Sequence, residues 1–129
     1  MKVISIKEPF ATLIKDGVKI YETRSWKTNY RGEIYIHASK TISMSDNKEN
    51  ALKFLKSCIK PGYILCKCRL VDCIEMNEEF ISYINNETTE YFYGHYALGR
   101  YAWQLELIEV LETPIKAKGQ LGIWNYFEA

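Results

Sequence analysis

The chain has no run of about 18 apolar residues, which excludes a membrane-spanning helix and leaves no membrane partner expected. It shows no signal-peptide pattern, so a reducing cytoplasmic setting is expected. It has no CxxC pair; its four cysteines are Cys58, Cys66, Cys68 and Cys73. Cys66 and Cys68 stand two apart in a strand-like run and share a face. Their Cα atoms, about 6.6 Å apart, lie near the limit of disulfide geometry. Free thiols are the expectation. The two histidines complete no recognised ligand spacing, so neither a metal nor any other cofactor is expected. There is no repeat, low-complexity tract or linker, and no βαβ rhythm. The net charge is only +1, too small for a field that would steer the whole molecule to a polyanion.

What is present is an ordinary globular composition, 47% hydrophobic and 26% charged, in 129 residues, enough for a single domain over 1–129. Aromatics reach 14%, with ten Tyr; they suit both base stacking and β-rich cores. The charge is uneven. Residues 1–31 hold seven basic groups against three acids, a net of +4, so the remainder carries −3. An anion site should therefore be local and drawn from the N-terminal third.

The pattern predicts a buried strand at 2–6 and a short amphipathic helix at about 8–16, with Pro9 in its first turn and Asp16-Gly17 at its end. Strands follow at 20–26 and 33–38. A helix is expected over 44–57, capped by Ser43 or Ser45. Pro61-Gly62 reads as a turn before a long strand at 63–76. A short helix is expected at 77–84 and a long Tyr-rich loop with helical turns at 85–99. The last long strand, 101–112, is expected to end at Pro114. The sum is an α+β fold with a mostly antiparallel sheet, curved or closed into a small barrel, and peripheral helices.

The segment Gly17-Val-Lys-Ile-Tyr-Glu-Thr-Arg-Ser-Trp26 concentrates chemistry. In a strand, Ile20, Glu22, Arg24 and Trp26 share one face, and Tyr21, Thr23 and Ser25 the other. Arg24 offers a planar fork of donors that matches phosphate or a base edge. Lys19 stands at a corner where its ammonium can turn into a cleft. Glu22 lies within reach of Arg24. One reading is a structural ion pair worth about 0–1 kcal/mol at a surface. The other is that Glu22 steadies Lys19 and Arg24 for a ligand, or accepts from a base amino group. Trp26 and Tyr30 can stack on bases or pack in a core. Lys27 and Arg31 are phosphate contacts or solvated charge. His37, near the end of the 33–38 strand, is a hydrogen-bonded structural group or a general acid–base. Ser39 is near it, but no third group completes a triad. Tyr101 and Trp103 read as core. Lys116 and Lys118 add charge to the same region, and Gly119 and Gly122 permit close backbone approach.

Five stretches resemble the ASCH domains of the PUA-like superfamily: SIKEPFATLI (5–14), GVKIYETRSW (17–26), YRGEIYIHAS (30–39), PGYILCKCRLVDC (61–73) and YAWQLELIEVLETPIKAKGQLGIWNY (101–126). The resemblance implies a small β-barrel with helices outside it and a cleft lined by the K-x-x-E-x-R segment. It implies binding of RNA or of a nucleoside or nucleotide. The site would use Lys19, Glu22, Arg24, Trp26, Tyr30, Arg31 and His37, with Lys7 at the rim and Lys118 adding positive charge. Some relatives are enzymes: small members hydrolyse acetylated cytidine with Lys, Thr and Glu, and another is a ribonuclease. Here Glu22 stands where that hydrolase has Thr, so its mechanism does not transfer directly. Were the chain an enzyme, Lys19 as base and Glu22 as water-positioning group would be the catalytic pair. A protein-interaction surface is the third alternative.

Overall fold

A computed structural model of the chain describes residues 1–42, 61–86 and 88–127. Six strands form one mixed sheet: β1 (Lys2–Glu8), β2 (Tyr21–Arg24), β3 (Gly32–Ile42), β4 (Tyr63–Glu75), β5 (Tyr101–Lys116) and β6 (Ile123–Asn125). Helix α1 (Phe10–Lys15) follows β1, while α2 (Glu78–Asn85) and α3 (Thr88–Phe92) lie between β4 and β5. The helix expected over 44–57 falls outside the described residues.

The strand order is β2-β5-β4-β3-β1-β6. Four of the five ladders are antiparallel; β1 and β3 run parallel, pairing Ser5 with His37. The expected barrel is not closed by a ladder: among the described residues no pairing joins β2 to β6. The sheet instead curls until a side chain spans the gap, where Arg24 of β2 donates through Nη2 to the carbonyl oxygen of Ser5 in β1 at 2.8 Å.

Alternation explains the core. Ile4 and Ile6 of β1, Ile34, Ile36 and Ala38 of β3, and Cys66, Cys68 and Leu70 of β4 alternate inward. They meet Ala11 and Ile14 of α1, with Trp103 and Leu105 of β5. Cys66 and Cys68 are both free and buried. A contact with Cys68 and then burial push the Cys66 thiol well above its ordinary value, so it acts as an apolar group. Helix α1 starts from Glu8, fully buried, whose carboxylate accepts from the Thr12 backbone N–H at 2.8 Å and the Thr12 hydroxyl at 2.5 Å. Those bonds satisfy one of the helix's orphan donors. Gly17, at φ +77°, closes the helix with its N–H on Ile14 O, as the Asp-Gly pair implied.

Strand β5 runs on past Pro114 to Lys116, four residues beyond the expected end. Its partners jump from Val110 opposite Cys66 to Ile115 opposite Ile64, so residues 111–114 bulge out of the ladder. A proline there forfeits no inter-strand hydrogen bond. Strand β2 is shorter than the 20–26 expected, and Trp26 lies beyond its end.

Helices α2 and α3 cover a second, aromatic cluster. Asn77 caps α2 by accepting from Phe80 N at 2.8 Å. Phe80 meets Tyr21 edge-on at 5.7 Å, and Tyr91 stacks on Tyr96 at 6.2 Å. The buried Glu90 accepts from Ile20 N at 2.5 Å and from the Tyr96 hydroxyl at 3.4 Å. Burial, with Glu90 beside it, pushes the Tyr96 hydroxyl far up.

A cationic cleft across the open side of the sheet

Where β2 and β1 face each other without a ladder, the surface sinks into a cleft of about 1220 Å³. Among the described residues, six lysines and arginines border it, Lys7, Arg24, Lys40, Arg100, Lys116 and Lys118, against one carboxylate, Glu22. Phe10, Tyr63 and Tyr93 also line it. Only Lys7 and Arg24 come from residues 1–31. The expectation of a site built from the N-terminal third was too narrow, because β3, β5 and the loops before and after β5 bring in the other four cations.

Glu22 and Arg24 meet as the spacing suggested. Arg24 Nε donates to Glu22 Oε2 at 2.9 Å, and Nη2 stands 2.9 Å from the same oxygen. With Nη2 also on Ser5 O, the guanidinium is fixed at three points. Arg24 Nη1 and Glu22 Oε1 make no hydrogen bond among the described residues. A fixed donor and a fixed acceptor therefore stand side by side at the cleft.

The cleft's other rim is the connection from α3 to β5. His95 N donates to the Thr23 hydroxyl at 3.1 Å, and Arg100 Nε donates to His95 O at 2.9 Å. The Tyr-rich stretch read as a loop with helical turns over 85–99 thus supplies Tyr93 and His95, and Arg100 follows directly after it. Opposite, Ala117 N donates to Gly62 O at 3.0 Å, seating the loop that holds Lys116 and Lys118.

His37 is buried and doubly bonded: Nε2 lies 2.7 Å from Ala117 O and Nδ1 3.0 Å from Ser5 Oγ. The Trp124 indole N–H donates to the same Ser5 oxygen at 3.1 Å. A Cβ on Gly119 would lie 3.1 Å from His37 Cε1 and from Ser5 Oγ, which is the close approach read from this glycine. Ser5 was missed as a site residue, because a parallel ladder joins it to a residue 32 positions away.

Four expected ligand residues stand apart from the cleft. Lys19 is 2% exposed, donates to Tyr21 O and holds its ammonium 5.6 Å from the Phe10 ring centre. The strand begins only at Tyr21, so the corner turns this side chain inward and does not open it to the cleft. Trp26 packs edge-on against Trp103 at 4.7 Å. The Tyr30 hydroxyl donates to Glu33 O at 2.6 Å. Arg31 donates to Thr28 O and Tyr30 O and pairs loosely with Asp72 at 3.7 Å. Glu22, Arg24, His37, Lys7 and Lys118 do border the cleft.

Among the described residues no helix is long and apolar enough to cross a membrane. A search of curated proteins finds no match to this chain. The family model for the ASCH domain matches residues 4–116, a span that includes Glu22, Arg24 and His37, and the chain belongs to that family.

Proposed function

We propose that this ASCH domain binds nucleic acid in the cleft, as a single strand of RNA or a nucleotide-bearing ligand. One observation carries the reading: in a chain of net charge +1, six cations and one carboxylate of the described residues gather around one hollow. Such local excess is the electrostatic footprint of a phosphate-bearing partner. The volume exceeds the roughly 300–1,000 Å³ of small-ligand pockets, which favours a strand over a lone nucleoside. Tyr93, another lining residue, would stack on an unstacked base, worth about 1–3 kcal/mol. Glu22 Oε1 beside Arg24 suits a base edge that carries an amino group. A surface serving only protein contacts would need neither the hollow nor the one-signed rim.

Fluorescence anisotropy of a labelled eight-nucleotide RNA tests this. Binding should weaken from about 50 to about 200 mM salt, with a log–log slope near −2 for roughly three phosphates. Arg24→Ala should weaken it further at every salt. A slope near zero, or no difference between the two proteins, would refute the reading.

A further inference from the structure

We propose that Ser5 and His37 form a nucleophile–base pair on the cleft floor, able to accept an acyl group from an ester. The hydrogen bonds assign the roles. A carbonyl oxygen only accepts, so the proton of His37 sits on Nε2, facing Ala117 O at 2.7 Å. Nδ1 is then the acceptor, and the Ser5 hydroxyl, 3.0 Å away, donates to it. The Trp124 indole N–H occupies a lone pair of the same oxygen at 3.1 Å, which holds the hydroxyl in that orientation. Nucleophile, base and orienting group therefore follow in the order acyl transfer requires, with a backbone carbonyl as the orienting group.

Two further features suit chemistry better than packing. Arg24 donates to the backbone carbonyl oxygen of Ser5 at 2.8 Å, which ties a cation to the residue that carries the nucleophile. Gly119 keeps the space over the pair clear. Its missing Cβ would come within 3.1 Å of both Ser5 Oγ and His37 Cε1, and its φ is one that other residues adopt. Any larger residue would cover the hydroxyl.

In the reaction, Ser5 Oγ attacks the ester carbonyl carbon and its proton passes to His37 Nδ1. The Oγ–C bond forms, the bond from that carbon to the ester alkoxy oxygen breaks, and the leaving alcohol takes the proton from Nδ1. Water, giving a proton to the same nitrogen, then attacks the acyl-serine; the acid leaves and Ser5 regains its hydrogen. Ester and water give acid and alcohol. The cationic surroundings favour an ester whose alcohol or acyl part carries phosphate. None of this requires the cleft to bind RNA, so the two readings fail independently.

The test treats the folded protein with a fluorophosphonate probe, which adds to an activated serine with loss of fluoride, and maps the adduct by mass spectrometry. The expected result is one adduct on Ser5, absent in Ser5→Ala. Labelling should be at least tenfold slower in His37→Gln and in Gly119→Ala, compared at equal folded fraction. Gly119→Ala keeps both partners and serves if His37→Gln does not fold. An unlabelled Ser5 in folded wild type, or undiminished labelling in folded Gly119→Ala, overturns the proposal.

Discussion

Two carboxylates, Glu22 on β2 and Glu90 on α3, are almost equally buried and used in opposite ways. Glu90 places one oxygen on Ile20 N and the other on the Tyr96 hydroxyl, inside a cluster of packed rings. Glu22, which lines the cleft, gives Oε2 to Arg24, and its Oε1 makes no hydrogen bond among the described residues. The first site is closed: its polar groups answer one another and hold the Tyr-rich stretch against β2. The second keeps a donor and an acceptor in reserve within a ring of cations. A buried charge therefore marks a ligand site here only when some of its hydrogen-bonding capacity faces open space.

The largest expected effect falls on the open site. Arg24→Ala removes charge-assisted bonds of about 1.5–3 kcal/mol, so RNA affinity by anisotropy should drop roughly 10- to 100-fold. Urea unfolding should shift far less, since the Glu22 carboxylate it leaves can reach water. Glu90→Ala should reverse the pattern. Leaving Ile20 N unpaired costs about 1–3 kcal/mol of stability by urea unfolding, with RNA affinity unchanged. If both variants alter the same property, the contrast between the sites is wrong.

The Glu22 side of this contrast was legible in the sequence, the Glu90 side was not, and the limits have physical causes. The Glu22–Arg24 pair follows from a two-residue period, and α1 from Pro9 and Asp16-Gly17. Lys19 was misplaced because strand period says nothing about a residue before the strand begins. The Ser5–His37 contact and the gathering of Lys40, Arg100 and Lys116 depend on which strands neighbour each other, and local pattern does not encode that. Pro114 misled because a bulge removed the constraint that makes proline end a strand.

Two smaller effects sharpen the comparison. Lys118→Ala should cost about 0.5–1 kcal/mol of RNA affinity and flatten the salt slope by about 0.7, in the same anisotropy titration. Glu8 serves as a control away from the cleft. Burial raises its pKa above the ordinary 4.5, although the Thr12 bonds oppose the rise. The native state therefore holds this proton more tightly than the unfolded chain. Its contribution to stability is fullest below 4.5 and falls as pH rises from there through the raised value. Glu8→Gln should remove that fall in urea titrations run across this range and leave RNA binding intact.

The central claim is that the cationic cleft, and not the aromatic cluster, receives the nucleic acid. Backbone amide NMR shifts during titration with a short single-stranded RNA test it most directly. The account predicts shifts at Arg24, His37, Arg100 and the 116–122 loop, with Tyr21, Phe80 and Ile84 unmoved. Shifts centred on α2 and α3, or none at low salt, would contradict it.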